Sequence, residues 1–143
     1  MAGNWKMYKT SRETREYLER FRPLVEKTTD REIVLCPTFV NLAAAVDAAA
    51  NSRIEIGAQN LFWAKEGAYT GEISADMLVS VGCKWVLIGH SERRQYFQET
   101  DEGVFKKTEA ALAAGLKPVV CIGATLAERE ANKTLDRKST RLN

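Results

Sequence analysis

Short runs of consecutive apolar residues alternate along this chain with longer stretches whose apolar residues recur every three or four positions. The short runs are Ile33 to Cys36, closed by Pro37; Ile54 to Gly57, with Ala58 following; Trp85 to Gly89; and Pro118 to Gly123. Unbroken runs rich in β-branched residues predict strands buried on both faces, which means a parallel sheet. A fifth strand is expected at the start. Only Met1 to Gly3 precede Asn4, so it is shorter than the usual strand of about five residues.

The stretches between the runs read as helices. Thr10 with Glu13 forms a capping-box signature, and Tyr17, Leu18, Phe21, Leu24 and Val25 then share one helical face. Leu42, Val46 and Ala49 mark a second helix in an alanine-rich segment. Ile73, Met77, Leu78 and Val81 mark a third, stopped by Gly82. Val104, Thr108, Ala111 and Leu112 mark a fourth, starting near Thr100 and ending at Gly115, and a fifth is expected from Leu126 onward. No hairpin signal joins any two strands. The order therefore predicts an α/β protein with right-handed crossovers. A doubly wound nucleotide- or flavin-binding domain is weakened by the lack of any Gly-x-Gly-x-x-Gly or Walker A sequence.

Length and composition narrow the classes. With 143 residues the chain is expected to form one domain, and a complete eight-unit β/α barrel needs roughly 200 residues or more. Hydrophobic residues make up 45% and charged residues 28%, enough to build a core. A net charge of +2 argues against a nucleic-acid partner. No apolar run is long enough to cross a membrane, and the first residues lack a secretory core. Cys36, Cys83 and Cys121 form no Cys-x-x-Cys pair, so neither zinc nor thioredoxin-type chemistry is supported. They read as reduced, mostly buried thiols of a cytoplasmic protein. Neither a metal nor a cofactor is expected. Residues 137–143 are polar and basic, with no apolar face, and are expected to stand outside a domain spanning residues 1–136.

Polar residues collect just after the strands: Asn4 and Lys6 after the first, Gln59 and Asn60 after the third, His90, Ser91 and Glu92 after the fourth. Ligands of parallel sheets bind at these carboxyl ends, where free backbone N–H groups converge, so an anionic or phosphorylated ligand is the first expectation. His90 is the sole histidine, with Ser91 placed to cap the turn that follows. Near a helix start a neutral imidazole can donate to a carbonyl oxygen; the plainer reading is a histidine that hydrogen-bonds in the core. Asn4 and Lys6 would point to one side if the strand continued. Glu92, Arg93 and Arg94 read as a solvated run or a subunit-contact network. Gly67 to Glu72 is a surface loop whose Tyr69 could anchor a partner.

Ala2-Gly3-Asn4-Trp5-Lys6-Met7 together with Gly89-His90-Ser91-Glu92-Arg93-Arg94 closely resembles the triosephosphate isomerase family. Ile56-Gly57-Ala58-Gln59-Asn60, Tyr69-Thr70-Gly71-Glu72-Ile73-Ser74 and Val120-Cys121-Ile122-Gly123 match it in the same order. The resemblance covers residues 2–136. It implies a TIM barrel, here incomplete with about the first five β/α units. It also implies a homodimer, a place in glycolysis and gluconeogenesis, and cofactor-free interconversion of dihydroxyacetone phosphate and glyceraldehyde 3-phosphate. The family is a well-described case of a glutamate base working with a neutral histidine. The resemblance makes His90 that histidine, Lys6 a catalytic and substrate-binding cation, Asn4 a substrate ligand and Glu92 the carboxylate that orients the site. Gln59, Tyr69 and Thr70 fall at the implied dimer interface, Thr70 reaching the partner's site near Asn4.

The departures are equally specific. The family's base lies in a sequence like Ala-Tyr-Glu-Pro-Val-Trp, and these residues contain none. The lid and the glycine-rich phosphate-binding segments are absent too. Ala124 replaces the family's glutamate after Cys-Ile-Gly. Little or no isomerase activity is therefore expected of these residues alone. The alternative expectation is a non-catalytic half-barrel that self-associates through open strand edges.

Overall fold

A computed structural model describes residues 1–123. Five parallel strands lie in chain order: β1 (Ala2–Asn4), β2 (Ile33–Cys36), β3 (Ile54–Ala58), β4 (Trp85–Ile88) and β5 (Lys117–Val120). Helices α1 (Ser11–Val25), α2 (Leu42–Ala49), α3 (Ala75–Ser80), α4 (Ser91–Tyr96) and α5 (Asp101–Ala113) occupy the connections. The apolar runs implied the parallel sheet, and the resemblance implied the incomplete β/α barrel seen here. Trp85, the first residue of β4, faces Gly57 rather than Ile54, the kind of stagger that curls a parallel sheet toward a barrel.

The central strands are mostly apolar because both of their faces are covered, with Glu55 the polar exception in β3. Ile33, Leu35, Ile54, Ile56, Val86 and Ile88 pack against Leu18, Leu42, Leu78, Val104 and Ala111 of the helix layer. The alternate residues Val34, Cys36 and Leu87 form a second cluster with Trp85 and Val119 on the other face.

The helix boundaries follow local chemistry. Thr10 and Glu13 close the predicted capping box at α1, with Glu13 Oε2 accepting from the Thr10 N–H at 2.7 Å. Ser74 and Thr100 cap α3 and α5. Gly82 (φ +94°) and Gly115 (φ +81°) take the left-handed step that ends them.

Three expectations are corrected. Leu24 and Leu112 were placed on buried stripes but are 79% and 60% exposed, and Met77 and Val81 also face solvent. Leu24 and Leu112 occupy flanks of α1 and α5 that no described element covers. The fifth strand runs from Lys117 to Val120 and stops short of Gly123, although the Cys121 N–H still reaches the Ile88 carbonyl at 2.8 Å. Helix α4 was not anticipated, since Ser91–Tyr96 carries no apolar stripe and buries no residue. The helix expected from Leu126, the Ala124 substitution and the 137–143 segment lie outside the described residues.

Candidate active site

The site begins where β1 leaves its ladder. Strand geometry does not continue to Lys6, whose φ is +53°, a left-handed value costly for a residue with a side chain. Both its backbone groups are held. Its N–H donates to Asn4 Oδ1 at 2.9 Å, and its carbonyl accepts from Gln59 Nε2 at 2.8 Å. The same Gln59 nitrogen donates to the Cys36 carbonyl at 2.8 Å, so one amide ties together the ends of β1, β2 and β3. Asn4 and Lys6 thus meet through a turn rather than through a shared strand face.

So held, Lys6 projects across the strand ends to the segment after β4. Its Nζ lies 2.6 Å from Glu92 Oε1, and Glu92 Oε2 lies 3.4 Å from His90 Nδ1. In a flat sheet three strand spacings of about 4.8 Å would separate the ends of β1 and β4. The curl and two long side chains bridge that gap. The Lys6 hydrogen bond holds the Glu92 carboxyl below the usual carboxylate range, and the same bond raises Lys6, so both groups are charged at neutral pH.

His90, not Ser91, caps α4. Its Nδ1 accepts the Glu92 N–H at 3.2 Å. A ring nitrogen that accepts carries no proton, so the neutral imidazole keeps its proton on Nε2 and can donate from there. Asn4, Lys6, His90 and Glu92 are thus brought together at the strand ends.

The other candidates separate. Tyr69 and Thr70 make no hydrogen bond or ring contact with that group. They belong to an excursion closed at its root by the Phe62 N–H on the Ile73 carbonyl at 2.8 Å, with Tyr69 packed on Phe62 at 4.6 Å between ring centres. The loop is built rather than slack. Gln59 spends its amide nitrogen inside its own chain.

A buried polar cluster escaped sequence reasoning. Lys107 shares the inward face of α5 with Val104 and Ala111 and pairs with Glu99, both almost fully buried. Its Nζ also donates to Asn60 Oδ1 at 2.8 Å, and Arg93 stands 3.7 Å from Glu99. The signal was a lysine at a stripe position, three residues after Val104. The cluster fastens the root of the 62–74 excursion to the segment after α4. The thiols are chemically quiet: burial pushes Cys36 up to about 12 and Cys83 up to about 11. Among the described residues no group of His, Cys, Asp and Glu could hold a metal ion, and no helix is long and apolar enough to cross a membrane. Clefts of about 460 and 510 Å³ lie in the helix layer, beside Trp63 and Ala110 and beside Arg22 and Arg53, away from His90.

Known proteins resemble this chain in sequence and in fold. The family model described as triosephosphate isomerase matches residues 1–143. The triosephosphate isomerase of Solibacter usitatus is 63% identical over 134 residues, covering 94% of this chain and 54% of that protein. That of Geobacter metallireducens is 54% identical over 142 residues, covering 99% and 57%. The crystal structure of triosephosphate isomerase from Bartonella henselae superposes with a TM-score of 0.92 at 40% identity, covering 99% of this chain and 59% of that one. The chain thus spans about half the length of the curated relatives it matches. Matched by the family model along its whole length, and carrying His90, Lys6, Asn4 and Glu92 in one cluster, the chain belongs to the triosephosphate isomerase family.

Proposed function

We propose that the chain supplies the electrophilic half of an isomerase site that interconverts dihydroxyacetone phosphate and glyceraldehyde 3-phosphate. The observation that carries this is the contact of Lys6 and His90 with one carboxylate, Glu92, at the strand ends. His90 donates from Nε2 to the substrate carbonyl oxygen, which gains negative charge as the enediolate forms. Lys6 offsets the charge of the phosphorylated substrate. Asn4 holds the Lys6 backbone and leaves its amide nitrogen for a substrate oxygen. Glu92 holds the Lys6 ammonium and faces the unprotonated His90 nitrogen.

The abstracting base is the missing part. These 143 residues hold no counterpart of Ala-Tyr-Glu-Pro-Val-Trp, and general-base catalysis contributes roughly 10²- to 10⁴-fold. We assign the fold to residues 1–136 and leave 137–143 outside it. In the assembled enzyme a homodimer forms, with Tyr69, Thr70 and Gln59 at its interface. A glycolytic role and free thiols fit a cytoplasmic setting.

The test is coupled-assay turnover of the chain alone and mixed with a fragment supplying the later strands of the Solibacter relative. The chain alone is expected to be inactive and the mixture active, with His90→Gln abolishing the gain. Near-normal turnover by the chain alone would overturn the reading. A second reading rests on β1 and β5, each paired on one side only among the described residues. A half-barrel with two such edges self-associates, and sedimentation as a compact monomer would remove that reading.

A further inference from the structure

The mechanism above gives Arg94 no part, and the sequence reads it as part of a solvated run or a subunit-contact network. The structure corrects this: the Arg94 side chain is only 14% exposed. A guanidinium withdrawn from water needs protein acceptors for its donors. Arg94 finds them on two elements. Its Nε donates to the Gly89 carbonyl at 2.8 Å, and its Nη1 pairs with Asp101 in the first turn of α5. The rest of the group lies against Gly89 itself. A Cβ at that glycine would stand 2.9 Å from Arg94 Nη2 and 2.9 Å from Val104 Cγ2. Gly89 has φ +71°, in the left-handed region that favours glycine.

The gripped carbonyl belongs to the peptide plane that joins Gly89 to His90. Fixing that plane fixes where His90 starts; its φ of −55°, ψ of 142° and side-chain torsions then seat Nδ1 on the Glu92 N–H. We propose that Arg94 is a positioning residue for His90: by holding the Gly89–His90 peptide from beneath, it keeps Nδ1 as an acceptor and the proton on Nε2. This deepens the isomerase reading and rests on it for the need of a donor at Nε2. A lysine cannot take the role, because a point charge offers no planar fork to reach a carbonyl, a carboxylate and a glycine face at once.

His90 is the sole histidine, so the imidazole ¹⁵N spectrum of the full chain reports one residue. The experiment compares wild type with Arg94→Lys, Arg94→Met and Asp101→Asn, each checked for folding by its urea midpoint. Wild type is expected to show one fixed tautomer, with widely separated Nδ1 and Nε2 shifts. In the two Arg94 variants the separation is expected to shrink by half or more, while Asp101→Asn, which keeps the Gly89 hydrogen bond, stays like wild type. An unchanged tautomer in a folded Arg94 variant overturns the proposal. So does mixing in Asp101→Asn equal to that in Arg94→Lys, since the ion pair would then be the cause. Should Arg94→Met not fold, Arg94→Lys and Asp101→Asn carry the test. Dihydroxyacetone phosphate added to wild type mixed with the fragment supplying the later strands, under conditions where that mixture turns over, separates the two readings. If the His90 signals do not shift while the tautomer results stand, the isomerase reading fails and the role of Arg94 survives.

Discussion

Each end of the sheet carries a lysine–glutamate contact, and the two contacts differ in kind. At the amino ends of the strands, Glu55 of β3 accepts from Lys84 at 3.0 Å and from the Trp85 indole at 2.5 Å. Lys117 lies over the Trp85 ring at 4.6 Å and reaches Glu32 at 3.0 Å. Both oxygens of Glu55 are engaged by its own chain, and its side chain is 22% exposed. At the carboxyl ends, Lys6 and Glu92 are 49% and 41% exposed, and the residues that present the site have left-handed backbones at Lys6 and Gly89. The Glu55 contact ties neighbouring strands and is satisfied, but Lys117–Glu32 at the same end joins β5 to the start of β2 with both side chains more than half exposed. Lys6–Glu92 likewise joins strands that are not neighbours and stays open to solvent, and it differs in resting on a left-handed lysine. The contrast is between the closed Glu55 network and the open Lys6–Glu92 pair at the end where ligands bind.

The sharpest way to break this contrast is to remove the strain allowance at Gly89. Gly89→Ala must adopt a left-handed φ and push against Arg94 and Val104. We expect a loss of about 3 kcal/mol in urea unfolding, from strain and overpacking together. A loss under about 0.5 kcal/mol, the range of an ordinary surface change, would mean that the carboxyl end is not strained.

Next comes a pair of charge removals. Glu55→Gln is expected to cost about 1 kcal/mol, a modest figure because Lys84 and Lys117 are more than half exposed and screened. It should leave the His90 resonances unchanged. Glu92→Gln should leave the urea midpoint where it is and alter the His90 signals. The reverse pattern would exchange the roles assigned to the two ends. Glu55 also sets an acid limb. Burial raises its carboxyl, but the Trp85 and Lys84 hydrogen bonds and the lysine charges outweigh that, so its folded pKa lies below the unfolded one. Its stabilisation is therefore full above the ordinary glutamate range and is lost as pH falls through the lower folded value. Stability measured from pH 6 down to pH 3 should fall less steeply in Glu55→Gln.

The two ends were unequally legible in the sequence. The sheet and its helix caps could be read because their causes are local. Apolar runs mark strands buried on both sides, and the Thr10–Glu13 pair and the glycines at 82 and 115 act within a few residues of themselves. Thr10→Ala should accordingly cost about 1 kcal/mol by urea unfolding, without touching His90. At the active end the pattern placed the candidates after the strands, but their roles were legible only through resemblance. The left-handed Lys6 depends on Gln59, 53 positions away, and the His90 cap depends on a helix with no apolar stripe. Lys107 reads as a surface lysine until its partners Glu99 and Asn60 are in place. No local pattern encodes contacts of this kind.

The smallest effect concerns the flanks of the same half-barrel. Periodicity put Leu24 and Leu112 on buried stripes, yet they stand 79% and 60% exposed on α1 and α5. An apolar stripe that continues past its neighbours is a surface built to be covered. With no described element over them, Leu24→Lys and Leu112→Lys should change the unfolding free energy of the chain by no more than about 0.5 kcal/mol. Mixed with the later strands of the Solibacter relative, the same variants should bind that fragment more weakly than wild type, because a buried lysine ammonium must shed water. A loss above about 1 kcal/mol in the chain alone would mean that another part of the chain or a second copy already covers those flanks. Unimpaired association with the fragment would mean that the stripe is not the seam along which the barrel closes.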